Sequence, residues 1–305
     1  MVPRDRAEGV LLGLACGDAL GRPVEFKSAD RIAAEYGTLE SMVGNGTWNK
    51  PAGTVTDDTA LALCIARSLV DRDGFEPSDI VSRFIEWYDS GPFDIGNMTA
   101  QAIRRLKRGD SWDTAGQQVW EASPEGSNAG NGSVMRCPPL AIPYASDRKY
   151  LVRVSRRSSQ ITHADPRCID GCSVLNLTIA GYLTDEDRPL KASLDQIRTD
   201  APEELVAELE PIAADETPAS LSTSGYVVDT LQTALHDALI ADSAEEAIVT
   251  AVNRGGDTDT IGAVAGAVAG ARFGAADLPQ RWLDAIDEDA ELRRLATDLC
   301  ELQAD

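Results

Sequence analysis

The sequence predicts an all-α protein folded as a compact single domain. Three observations carry this: apolar residues recur at helical spacing in segment after segment, alternating strand-like runs are almost absent, and two stretches carry glycines four residues apart. In the first, Glu8 to Leu20, the residues Leu11, Leu12, Leu14, Ala15 and Leu20 surround a ridge of Gly9, Gly13, Gly17 and Gly21. Glycines at that interval line one helix face. The second ridge, Gly262, Gly266 and Gly270, runs through Ile261 to Ala271, where bare backbone lets another helix approach closely. Similar ridges mark dimer faces in membranes, but these eleven residues fall short of the roughly 20 a span requires, so both helices are read as central and buried.

Helical periodicity also predicts elements over Thr59–Val70, Pro77–Tyr88, Gly171–Leu183, Val227–Ile240 and Ala244–Val252. The polar, acidic stretch Thr184–Thr223 contains Pro189, Pro202, Pro211 and Pro218 and is expected to be a peripheral excursion within one domain spanning 1–305.

With 305 residues, 43% of them hydrophobic, the chain can bury a sizeable core, which excludes disorder and a small disulfide-stapled scaffold. Fifty Asp and Glu stand against 28 Lys and Arg, of which only five are Lys, for a net charge of -22. Such a surface repels nucleic acid and anionic membranes. Abundant carboxylate with scarce Lys points to a halophilic protein, since self-repulsion is muted where the Debye length is about 3 Å, at 1 M salt. The six cysteines show no Cys-x-x-Cys pairing and fit buried free thiols in a reducing compartment. Arg4 and Arg6 precede an apolar run from Val10, but Asp5, Glu8 and Asp18 interrupt any signal-peptide pattern. A cytoplasmic monomer with no membrane insertion is expected.

Four constellations carry chemistry. Thr56-Asp57-Asp58-Thr59 stands where a turn gives way to a helix, and Gly255-Gly256-Asp257-Thr258-Asp259-Thr260 opens another helix two hundred residues later. One carboxylate suffices to cap a helix. If these over-supplied helix starts pack side by side, four carboxylates meet in a cleft between central helices and require cations; hard oxygen donors suit Mg²⁺ or Mn²⁺, and two ions are plausible. The glycine-rich run Gly126–Ser133, followed by Arg136, can wrap an anion with backbone N–H groups and a nearby fixed cation, or be a plain surface loop. The fourth, Thr162-His163, suits a contact residue or a satisfied core histidine; no nucleophile elbow accompanies it.

In order along the chain, Gly17-Asp18-Ala19-Leu20-Gly21 with Glu25, Thr56-Asp57-Asp58-Thr59, Asp94-Ile95-Gly96-Asn97, Asn131-Gly132-Ser133-Val134-Met135-Arg136, Thr162-His163, Gly225-Tyr226-Val227-Val228 and Gly256-Asp257-Thr258-Asp259-Thr260 resemble the ADP-ribosylglycohydrolase family. The resemblance runs from about Glu8 to Arg272. It implies an all-α fold with two divalent cations, Mg²⁺ or Mn²⁺, in a cleft. It implies, as metal ligands, Thr56, Asp57, Asp58, Asp257, Asp259 and Thr260, with Glu25 beside or on the metals. Asp94 then handles a proton at the leaving group, with Glu25 and Asp58 completing the catalytic set. Asn97, Asn131, Gly132, Ser133, His163 and Tyr226 are implied to bind substrate, the Asn131–Ser133 loop at the pyrophosphate and Tyr226 against adenine. The implied reaction is hydrolysis at C1 of the distal ribose in a mono-ADP-ribosylated protein or a small ADP-ribose conjugate, releasing ADP-ribose. Arginine- and serine-linked substrates share these motifs.

Two other readings are weighed. A binding-only or crystallin-like structural descendant would not need a full set of oxygen donors. A haloacid-dehalogenase-like phosphotransferase built on Asp257 and Asp259 needs a preceding hydrophobic strand, whereas Ala247–Asn253 reads as helix.

Overall fold

The computed structural model describes residues 2–124 and 126–302. Among them are fifteen α-helices and no strand: α1 (Arg4–Gly21), α2 (Ala29–Tyr36), α3 (Asp57–Asp71), α4 (Pro77–Asp89), α5 (Asn97–Lys107), α6 (Trp112–Ala122), α7 (Arg148–Gln160), α8 (Pro166–Leu183), α9 (Pro189–Ile197), α10 (Glu203–Ala213), α11 (Val227–Ile240), α12 (Ala244–Asn253), α13 (Thr258–Phe273), α14 (Gln280–Leu283) and α15 (Asp289–Glu301).

The two glycine ridges meet each other. A Cβ placed on Gly13 would lie 2.1 Å from the Gly266 carbonyl oxygen, and one on Gly17 would lie 1.9 Å from that of Gly262. Gly9 faces Gly270 in the same way, so α1 and α13 run antiparallel with their backbones in direct contact. This pairing forms the middle of the core, and both helices are buried nearly all round. It also sets the C-terminal end of α1 beside the N-terminal end of α13, where Thr258 Oγ1 donates to Gly21 O at 2.8 Å.

Asp18, one turn from the end of α1, reaches the start of α3. Three helix ends therefore converge. The connections around them are tied by isolated bridges, Ser28 with Gly255 and Gly130 with Tyr226.

The elements extend beyond the periodic stretches where caps lie outside the apolar stripe. Helix α8 starts at Pro166, five residues before the predicted start, because Asp165 accepts from the Arg167 N–H at 2.9 Å and Pro166 occupies the first turn, which suits its missing N–H. The stretch Thr184–Thr223 contains α9 and α10, whose Leu190, Leu194, Ile197, Leu205 and Leu209 join the main hydrophobic core. Its acidic side chains face outward from these amphipathic turns.

Candidate active site

The start of α3 is shaped by a carboxylate from another helix. Asp18, fully buried, accepts the Thr56 N–H with both oxygens (3.1 and 3.0 Å), the Thr59 N–H at 3.2 Å and the Thr59 hydroxyl at 2.5 Å. With these orphan N–H donors satisfied by Asp18, the side chains of Asp57 and Asp58 are released from full-time capping. Asp57 Oδ2 accepts the Gly96 N–H at 3.2 Å, linking it to the Asp94 segment. Asp58 Oδ2 takes the hydroxyls of Thr56 (3.2 Å) and Thr260 (3.4 Å), and its Oδ1 is buried with no hydrogen-bond partner.

At the start of α13, Gly255 and Gly256 both have positive φ (76° and 82°), which places the following carboxylates inward. Asp257 Oδ2 accepts from Asn131 Nδ2 at 2.6 Å. Glu25 follows the short 3₁₀ turn Arg22–Val24 after α1, and its Oε2 accepts from Trp48 Nε1 at 2.5 Å. Oxygens of Glu25, Asp94 and Asp259, from three distant segments, lie within 4.8 Å of one another.

These groups line one wall of a cleft of about 480 Å³. Burial, reinforced by neighbouring carboxylates, pushes Asp94 up to about 8 and Glu25 to about 7, and Asp57 to about 6. Asp58 and Asp259 are driven upward by burial and by the same neighbours. Such crowding of acids is costly unless protons or cations offset it. The donors fit a divalent cation: they are hard oxygens, they converge, and Asp58 Oδ1 has an unfilled place for a partner.

The same cleft is lined by the loop from Gly130 to Gly132, with Asn97 and His163. Arg136, which one of the two readings of this loop sets near a bound anion, is fully buried behind the loop: it donates to Gly132 O (2.6 Å), Ser158 O (3.4 Å) and Thr162 Oγ1 (2.7 Å) and lies over the Phe84 ring. It braces the loop from within. Thr162 Oγ1 also meets His163 Nδ1 at 2.7 Å. With Arg136 donating to that oxygen, the hydroxyl proton is available to Nδ1, the pairing that would put the ring proton on Nε2. Burial and then Arg136 lower His163 to about 3, so the ring is neutral.

Thus the structure gathers Glu25, Asp57, Asp58, Asp94, Asn97, Asn131, Gly132, His163, Asp257, Asp259 and Thr260 around one cleft. Three expected residues stand apart from its lining. Thr56 is buried beneath Asp58. The Ser133 side chain is buried and bonded to Ser159 Oγ at 3.0 Å. Tyr226 turns its hydroxyl to Glu204 (2.7 Å) and Arg167 (3.0 Å), with the Arg167 guanidinium over its ring. Asp18, Trp48 and Arg22 carry roles that sequence reasoning did not assign. The signal for Asp18 is a carboxylate set inside the apolar, glycine-rich part of α1, Gly9–Gly21; Trp48 sends no local signal.

A family model described as ADP-ribosylglycohydrolase matches residues 1–305. The chain is 34% identical over 292 residues to the ADP-ribosyl-[dinitrogen reductase] glycohydrolase of Rhodospirillum rubrum, spanning 95% of this chain and 94% of that one. To ADP-ribosylarginine hydrolase Tri1 of Pseudomonas putida (strain GB-1) it is 32% identical over 304 residues, spanning 97% and 78%. A solved structure titled ADP-ribosylglycohydrolase-related protein complex superposes with a TM-score of 0.83 at 34% identity, over 99% of each chain. The chain belongs to the ADP-ribosylglycohydrolase family.

Proposed function

We propose that this protein is a metal-dependent hydrolase that cleaves the glycosidic bond at C1 of the distal ribose in mono-ADP-ribosylated proteins or small ADP-ribose conjugates, releasing ADP-ribose. The observation that carries the reading is the convergence of Glu25, Asp94 and Asp259 within 4.8 Å in the cleft that the Asn131–Gly132 loop and His163 also line. The similarity to named ADP-ribosyl hydrolases supports it.

In this reading Asp57, Asp58, Asp257, Asp259 and Thr260 hold two divalent cations, Mg²⁺ or Mn²⁺, with Thr56 and Glu25 at the edge of the set. When bound, the cations supply positive charge that offsets the carboxylates, holds the ribose hydroxyls and acidifies water. The chain's own groups do the rest. Asn131 keeps Asp257 oriented through its 2.6 Å amide contact. The loop N–H groups of Gly132 and Ser133 and the Nε2–H of His163 are donors for phosphate and ribose oxygens. Asp94, in the segment whose Gly96 N–H holds Asp57, is the group assigned to carry a proton from the attacking water to the departing atom. Asn97, exposed at the first turn of α5, contacts the sugar edge. Tyr226 is assigned to the adenine end, for which its Arg167 contact must open.

The working setting we infer is a salt-rich cytoplasm with the protein as a monomer that binds no nucleic acid; the six free thiols and the -22 charge support this. One experiment tests the whole reading: release of ADP-ribose from arginine- and serine-linked peptides with Mg²⁺, Mn²⁺ or EDTA, at low and molar KCl. Release that EDTA abolishes and KCl sustains is expected. A folded, metal-loaded protein that releases nothing from either peptide would point to a binding-only descendant.

A further inference from the structure

Aromatic residues make up 5% of the chain, yet three of them stand next to Glu25 and Asp94, in sequence or by hydrogen bond. Phe26 follows Glu25, Phe93 precedes Asp94, and Trp48 joins them, donating to Glu25 Oε2 while its ring lies 5.9 Å from that of Phe93. Phe26 and Trp48 line the cleft itself.

Phe26 stands out on two independent counts. Its side chain is 70% exposed, and Phe26 and Ile240 are the large hydrophobics so exposed among the described residues. Its backbone is left-handed, with φ of 64°, a conformation costly for a bulky side chain. The surroundings enforce it: the Phe26 N–H donates to Gly256 O at 2.7 Å, next to Asp257. Strain and exposure together hold a bare ring at the mouth of an acidic cleft.

The wall behind is rigid. Arg22 is fully buried, and its guanidinium donates to Val43 O, Asn45 O, Pro51 O and Thr54 O. Four carbonyls on one guanidinium fix the loop that carries Trp48. A cation already uses this wall: Lys50 Nζ sits 4.5 Å from the Phe93 ring centre.

We infer that Phe26 is the seat of the departing group, and that with Glu25 and Asp94 it selects a planar cation, a guanidinium, over a neutral hydroxyl. This rests on the hydrolase reading above. A guanidinium stacks on an aromatic face and at the same time donates to carboxylates at its edge, so ring and acids act on it together. A serine hydroxyl has no plane to stack and no charge to share. Adenine can stack but brings no positive charge to share with two acids.

The test compares wild type, Phe26→Leu and Phe26→Tyr. It measures kcat/KM on arginine- and serine-linked peptides of matched sequence, and binding of agmatine and of free ADP-ribose by calorimetry. The arginine-to-serine ratio and agmatine affinity should each fall about ten-fold in Phe26→Leu and hold within about two-fold in Phe26→Tyr. Because the side chain is exposed, these variants keep the fold. An unchanged ratio, an equal loss on both linkages, or a loss of ADP-ribose affinity in place of agmatine affinity overturns the proposal. If wild type releases ADP-ribose from neither peptide, the hydrolase reading has failed, and the agmatine arm decides: binding lost in Phe26→Leu upholds the seat, and no binding to wild type overturns it.

Discussion

Asp18 and Thr59 lie on different helices, and the carboxylate of the first accepts the hydroxyl of the second at 2.5 Å. The same carboxylate accepts the N–H groups of Thr56 and Thr59, so it fixes where the α3 carboxylates point. Asp18→Asn keeps the shape but turns an amide donor toward N–H groups that need an acceptor. A stability loss of about 2–4 kcal/mol is expected, with weaker Mn²⁺ binding. Thermal unfolding and a Mn²⁺ titration check it; unchanged metal affinity would show that Asp18 does not position the site.

How far the site was legible follows from where each partner sits. Asp57, Asp58, Asp257 and Asp259 could be read locally, because each helix start carries more oxygen donors than a cap uses. Glu25 and Asp94 entered only through family resemblance, since neither stands in a local cluster that demands explanation. Asp18, Arg22 and Trp48 act on groups at least 20 residues away, which no local pattern encodes. Among the helices, α1, α3, α4, α8, α11, α12 and α13 announced themselves by apolar content. Helix α7 (Arg148–Gln160) did not: it is mostly Arg and Ser around a narrow stripe of Leu151 and Val154. Arg136 reads in sequence as a fixed cation near the glycine-rich loop, because sequence does not report the burial that turns it inward.

Thr162 links Arg136 to His163, and its hydroxyl is expected to set which ring nitrogen carries the proton. In Thr162→Val, Arg136 Nη2 loses the shorter of its two contacts, keeping Ser158 O at 3.4 Å, and His163 Nδ1 loses its hydroxyl partner. The ring then mixes tautomers, and stability falls by about 1–3 kcal/mol. With only two histidines in the chain, nitrogen-detected NMR assigns the tautomer directly. Thr162→Ser should keep the wild-type tautomer; a wild-type spectrum from the Val variant would refute the link.

Proton linkage makes a prediction for the cation-free protein. Asp57, Glu25 and Asp94 rise on folding to about 6, 7 and 8. The folded state therefore holds protons that the unfolded chain has already released. Stability from this source is complete below the ordinary carboxylate range, about pH 4, and is lost as pH rises through 6 to 8. In EDTA the unfolding temperature should fall across that window. Saturating Mg²⁺ or Mn²⁺ should reverse the trend, since cations and protons compete for the same oxygens. Asp94→Asn should flatten the EDTA slope, which separates the site from general repulsion in a chain of charge -22. A flat profile in EDTA for the unsubstituted protein would contradict the crowded-acid account.

The contact between α1 and α13 permits a test in which two effects have opposite signs. Helix propensity alone predicts that Gly13→Ala, in the middle of α1, stabilises by about 1 kcal/mol. Close contact predicts the reverse, because the new Cβ would stand 2.1 Å from the Gly266 carbonyl oxygen and 2.8 Å from its carbon. Those are backbone atoms, so relief requires the helices to separate. Overpacking of this kind costs about 3 kcal/mol or more, equivalent to a fall of about 5 °C in a chain of this length. Separation also moves Asp18 and Gly21, at the end of α1, away from Thr258 at the start of α13. Metal affinity should therefore drop together with stability, although Gly13 lies outside the cleft lining. A variant that unfolds at the same temperature or higher would mean that the helices can part freely, and that the glycine ridges do not set the spacing of the two carboxylate-bearing ends.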